Sequence, residues 1–117
     1  MSVFDLLKHE TTIREFPAGA TLFAAGDPGD AMYYVLDGEV EVLVGDKPIN
    51  SHGPGEIFGE MALIDREVRS ATVRARTDCR VVTVDQRRFV FLVTQQPYFA
   101  LEVMGILADR LRLRTQA

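Results

Sequence analysis

The 117-residue chain has no tryptophan, one cysteine and two histidines. A single cysteine, Cys79, excludes an internal disulfide and any cysteine-rich zinc site. In the strand-like run "DCRVVTVD" it reads as a buried packing thiol. His9 and His52 stand too far apart in sequence to supply the His-x-His cluster of a metal enzyme. No nucleophile-elbow or Ser/His/Asp order is present either, so no metal site, no catalytic residue and no cofactor is expected. Positive charge is also short: 13 Lys and Arg against 17 Asp and Glu leave a net charge of −4. No global field therefore draws the chain to nucleic acid or to an anionic membrane, although a local site for a small anion stays open. No apolar run approaches the ~18 residues of a membrane span. The start, "MSVFDLLKHE", lacks the basic opening and long apolar stretch of a signal peptide. The expectation is a soluble, cytoplasmic, non-enzymatic chain of one domain, 1–117, whose 47 % hydrophobic residues suffice for a single modest core.

Against those absences, turn residues are frequent and closely spaced. Residues 3–9, "VFDLLKH", predict a short amphipathic helix with Phe4 and either Leu6 or Leu7 inward. From about 16 to 85, β-prone runs ("ATLFAA", "AMYYVL", "EVEVLV") alternate with "GDPGD", "DG", "GDKP" and "HGPGE", the rhythm of a β-sandwich or barrel. Asp37-Gly38 suits a primed hairpin turn. Val40, Val42 and Val44 then fall on one strand face, as do Ala71, Val73 and Ala75 further on. After Asp85, a candidate N-cap, the period becomes helical. One helix is expected at about 86–95, with Phe89, Leu92 and Val93 on a stripe, and a second at about 97–114 behind Pro97. The second carries Phe99, Val103, Ile106, Leu107, Arg110, Leu111 and Leu113, with an apolar face wider than one small roll requires; a homodimer seam is expected there, with packing on the roll as the alternative. Its end, "DRLRLR", reads as a solvated helix terminus favoured by the dipole.

The stretch "GEIFGEMALIDREVRSATVRA" breaks the β pattern. Strand-like residues stop at Phe58, a Gly-Glu pair follows, and Met61–Ile64 reads as one helical turn before Arg69 opens the next strand. A first helical turn offers free N–H groups, and Gly59 lets a ligand approach the backbone. The amides near Ala62 and Leu63 could face one oxyanion, and Arg69 could bring its planar fork to the same anion, with Ser70 adding a hydroxyl. Glu60 cannot hold a phosphate but can accept from a sugar hydroxyl. Together these describe a pocket for a phosphorylated ribose. A plain edge ion pair between Glu60 and Arg69 is the competing account.

"FGEMALIDREVRSATV" resembles the phosphate-binding cassette of cyclic nucleotide-binding domains, F-G-E-[LIM]-A-L followed by P-R-[ATS]-A-T. The likeness extends to "GDPGDAMYYVLDGEVEV" and to "VDQRRFVFLVTQQPYFALEVMGILADRLR", and so covers nearly the whole chain. "RSATVRARTDCRVVTVD" is especially similar to the bacterial catabolite-activator branch. The resemblance implies a mainly β fold with flanking helices: a double-stranded β-helix (a jelly-roll-like β-roll) with a short N-terminal helix and two C-terminal helices. It implies that Glu60 takes the ribose 2′-hydroxyl and Arg69 an exocyclic phosphate oxygen. Gly59, Met61, Ala62, Leu63 and Ala71 would line the ligand along the main chain. Ser70 would contact phosphate or base, and the last helix would close over the base, with 107–115 as the candidate lid and Thr115 as its polar base contact. The implied ligand is a cyclic nucleotide, cyclic AMP before cyclic GMP, the second kept open because Ser70 also suits a guanine amino group. A ligand-silent roll that dimerises or docks is the alternative. Two departures stand out. Val68 replaces the usual proline before the arginine, which predicts a looser loop. The branch's helix-turn-helix is absent from these 117 residues, so no direct DNA binding is expected; the chain is either a stand-alone sensor or part of a longer protein.

Overall fold

The computed structural model describes residues 3–64 and 68–115, with side chains for 5–64 and 68–112. Its described strands are β1 (Ile13–Phe16), β2 (Thr21–Phe23), β3 (Ala31–Asp37), β4 (Val40–Val44), β5 (Lys47–His52), β6 (Ile57–Phe58), β7 (Thr72–Ala75) and β8 (Cys79–Asp85). They form two four-stranded sheets, ordered β1-β8-β3-β6 and β2-β7-β4-β5, and every pairing is antiparallel. This is the β-roll that the resemblance implied.

β3 and β8 explain how one small roll supports two apolar layers. Both are nearly continuous runs of apolar residues, "AMYYVLD" and "CRVVTVD", and such strands are buried on both faces. Tyr33, Val35 and Val81 turn inward to a cluster with Val40, Phe58, Val73 and Ala75 between the sheets. Met32, Tyr34, Val82 and Val84 turn outward and pack under the helices against Leu7, Leu92, Phe99 and Val103. Each such side chain contributes roughly 1.5–3 kcal/mol when fully buried. Cys79 is buried in the first cluster, and burial, then the Asp78 carboxylate, pushes its thiol pKa up; it is a packing residue.

The N-terminal segment Val3–His9 coils as a 3-10 helix, with Leu7 buried and Leu6 exposed; the side chain of Phe4 lies outside the described residues. Helix α1 is the single turn Met61–Ile64. Helix α2 (Gln86–Gln95) starts on Asp85, whose side chain accepts from the Arg88 N–H at 2.8 Å. Helix α3 runs Tyr98–Thr115, directly behind Pro97. A bidentate pair, Arg88 with Glu10 at 2.6 and 2.7 Å, ties α2 to the segment after the N-terminal helix.

Two local expectations are corrected. Asp37-Gly38 is not a hairpin, because β3 and β4 belong to different sheets. Gly38 instead turns a corner, with φ +83°, against the crossing chain, where a Cβ would meet the Asp78 carbonyl oxygen at 2.2 Å. The hairpin is β4–β5, closed where Val44 pairs Lys47 across Gly45-Asp46. The Val40/Val42/Val44 alternation also fails at its end: Leu43 is buried and Val44, the last residue of β4, is 54 % exposed. β4 keeps its register with β7 through Leu43; the extra residue of the β4–β5 ladder, Ile49, lies in β5, where it exchanges the faces beyond it.

Candidate nucleotide site

The site forms where the sheet gives way. β6 ends at Phe58, and Gly59 turns the chain at φ +75°. Ala62 and Leu63 anchor α1 by burial. In this structure the Ala62 and Leu63 N–H groups face the carbonyls of Gly59 and Glu60, at 3.4 and 3.1 Å. The chain returns at Arg69, whose backbone is stapled to the turn after β2: its N–H donates to Asp27 and its carbonyl accepts from Gly26, both at 2.8 Å.

Arg69 is 7 % exposed. Its Nη1 donates to the Gly59 carbonyl at 2.9 Å and its Nη2 to the Ala31 carbonyl at 2.6 Å. The guanidinium lies over the Phe23 ring at 4.1 Å, with Tyr33 at 5.8 Å. Among the described residues no carboxylate pairs with it, and its buried Nε has no hydrogen-bond partner. Gly59 is required by this packing, since a Cβ there would stand 2.9 Å from Arg69 Nη1.

Glu60, 3 % exposed, does not pair with Arg69, so the simple edge ion pair is not what the structure contains. Its Oε1 pairs with Arg110 of α3, while Oε2 is buried without a partner. Arg110 also donates to the Ile57 carbonyl at 2.8 Å. The reading of "DRLRLR" as a solvated terminus is thereby corrected at Arg110, which points inward and joins α3 to the Gly-Glu bend. Arg112 pairs with Asp109 on the helix surface.

These groups share a cavity of about 580 Å³. Gly59, Glu60, Met61, Ala62, Arg69, Ser70 and Ala71, all singled out from sequence, line this cavity; Leu63 instead packs into the core under the helices. The side chains of Leu113 and Thr115 lie outside the described residues. Leu107, Arg110 and Leu111, within the 107–115 region expected to close over the base, also line the cavity, as do Phe23, Asn50 and His52, which were not singled out for it. A signal existed for some: Asn50 and His52 alternate on β5 opposite Val42 and Val40, and Leu107, Arg110 and Leu111 share a helix face by their 3–4 spacing. His52 stacks on Phe58, ring centroids 5.8 Å apart, with Nδ1 3.4 Å from Glu56. Burial, then the Arg110 charge, lowers its pKa, and Glu56 opposes them. Glu60 and Arg110 offset each other, so the cavity keeps the positive charge of Arg69, which suits a monoanion.

The family model described as "Cyclic nucleotide-binding domain" matches residues 13–96. A cyclic nucleotide-gated potassium channel of Mesorhizobium japonicum is 42 % identical over 87 residues, 74 % of this chain and 24 % of its own length. The catabolite activator protein of Thermus thermophilus superposes with a TM-score of 0.87 at 32 % identity, over 96 % of this chain and 55 % of that one. The EAL enzyme Bd1971 in its cGMP-bound form gives 0.66 at 35 % identity, over 89 % and 29 %. The chain thus spans about a quarter of that channel and about half of that activator.

Proposed function

Because the chain belongs to the cyclic nucleotide-binding domain family, we propose that the cavity takes up a cyclic purine nucleotide, with cyclic AMP the first ligand to test and cyclic GMP the second. The carrying observation is a pair of orphaned atoms, Arg69 Nε and Glu60 Oε2, both buried in the same pocket. A buried guanidinium without a carboxylate is costly, and a cyclic phosphodiester supplies the one negative charge it lacks. Arg69 binds an exocyclic oxygen, and Glu60 Oε2 accepts the ribose 2′-hydroxyl. Ser70 and the backbone at Gly59, Met61, Ala62 and Ala71 enclose the phosphate, and Leu107 and Leu111 face the base. Thr115 is kept as a further base contact at the end of α3.

The whole chain acts as one sensing module, the roll at about 16–85 carrying the ligand and the closing helices reporting it. Arg110 is the link, because one Glu60 oxygen holds α3 while the other receives the sugar. A nucleotide shifts α3 only as far as its affinities for the two helix positions differ. The module is regulatory, not catalytic, and works in the cytoplasm; its output belongs to whatever longer assembly it serves. Of the face expected as a seam, Phe99, Val103, Ile106 and Leu107 pack on the roll instead; Leu101 and Met104 are exposed on another side of α3 and with Ala108 keep a 3-4 spacing, which supports a homodimer through that side of the helix.

Calorimetric titration of the wild type and Arg69→Ala with cyclic AMP and cyclic GMP tests the site. Loss of about 2–5 kcal/mol in the variant is expected, the range for removing one partner of a buried charge pair. A wild type that binds neither nucleotide, or a variant that binds as well, overturns the proposal.

A further inference from the structure

The cavity continues beyond Arg69 and Glu60 along the sheet and ends on a polar side chain with no role so far. Asn50 on β5 stands opposite Val42 on β4, and Val42 stands opposite Val73 on β7; all three line the cavity. Strands in a sheet lie about 4.8 Å apart, so Asn50 is roughly 10 Å across the floor from β7, the strand that Arg69 and Ser70 lead into. The floor is therefore charged at one end, apolar in the middle and hydrogen-bonding at the other. A mononucleotide has the same order: anionic phosphate, apolar base face, polar base edge.

Asn50 presents only one kind of polar group. Its Oδ1 lies 2.9 Å from the Ser51 backbone N–H, and because a backbone N–H can only donate, the atom it meets must be the carbonyl oxygen. The amide NH₂ is left over, with no partner among the described residues, and it can only donate. Purine edges answer such a donor differently. Guanine offers acceptors at both N7 and O6, whereas adenine pairs the N7 acceptor with an N6 donor that opposes a second donor. We infer that Asn50 reads the base edge and favours guanine over adenine. The inference rests on the cyclic nucleotide reading above and adds a residue that biases base choice toward the second of its two ligands.

The test is the ratio of cyclic AMP to cyclic GMP dissociation constants, measured by calorimetry on the wild type, Asn50→Ala and Asn50→Asp. Asn50 is exposed on an edge strand, so both variants leave the core untouched, and any effect of the new charge common to both ligands cancels in the ratio. Asn50→Ala removes the donor and should move the ratio about three- to tenfold toward cyclic AMP, the worth of one hydrogen bond. Asn50→Asp replaces the donor with an acceptor for adenine N6 and should move it further the same way. A wild type that binds neither nucleotide overturns the site reading itself. Binding retained, with either variant's ratio within twofold of wild type, overturns the role of Asn50 alone.

Discussion

Arg110→Ala probes the contact that joins the last helix to the site. Glu60 is 3 % exposed, and the side chain of Arg110 is 36 % exposed. Truncating the arginine strips Glu60 Oε1 of the one cation that pairs with it among the described residues and the Ile57 carbonyl of a charge-assisted bond. Breaking a fully buried pair from one side costs about 3–5 kcal/mol. Arg110 is about one-third open to water, so screening and local hydration reduce the expected loss to about 2–3 kcal/mol. That is a large part of the roughly 5–15 kcal/mol that holds a domain folded, and it corresponds to a fall in Tm of about 8–15 °C. Urea unfolding of the wild type, Arg110→Ala, Glu60→Gln and the double variant closes a cycle. The double variant should regain more than half of the loss, because it leaves no uncompensated buried charge. If Arg110→Ala stays within about 0.5 kcal/mol of wild type, or the coupling is that small, the pair does not hold α3 and the proposed link from nucleotide to helix fails.

Three further outcomes follow from the same geometry. Gly59→Ala sets a Cβ 2.9 Å from Arg69 Nη1 on a backbone of positive φ; it should destabilise by about 1–3 kcal/mol and weaken nucleotide binding, and unchanged melting and titration curves would show that the bend tolerates a side chain. His52 has a lowered pKa from burial and then Arg110, so in the folded state it binds fewer protons than in the unfolded chain. Its contribution is fully present above the unfolded pKa of about 6.5 and is lost as pH falls below it; Tm should drop more between pH 7.5 and 5.5 in the wild type than in His52→Gln, and parallel curves would remove His52 from the acid response. Leu101→Glu with Met104→Glu places charge on the exposed flank of α3 and should shift sedimentation from dimer to monomer without loss of helicity; a wild type that sediments as a monomer removes the seam.

Much of the fold was legible because its signals are local. Turn residues marked the strand ends, Asp85 capped α2, and the Gly-Glu pair before Arg69 marked the single helical turn. The errors arose where local and long-range rules compete. Asp37-Gly38 has hairpin chemistry, yet its strands separate into different sheets because the glycine must pass under Asp78, forty residues on. Val44 obeys the alternation in isolation, yet it closes β4 beside the Gly45-Asp46 turn, where the sheet ends and the side chain is exposed.

Arg110 shows why a site built from several elements is harder to read than a fold. In sequence it is the first of three arginines at alternate positions near a helix end, a pattern that usually means solvent. In space its helix lines the cavity, and its partner lies fifty residues earlier. The cassette supplied both orphaned atoms, Arg69 Nε and Glu60 Oε2, and these were legible as residue types. What decides whether they act as a sensor is the helix that already holds the other Glu60 oxygen, since a ligand at Glu60 must act on a carboxylate that α3 shares. Under the proposed function, ligand affinity and helix position are two readings of one equilibrium. By that reciprocity, a substitution on α3 that loosens Arg110 is predicted to change nucleotide affinity as well as helix docking.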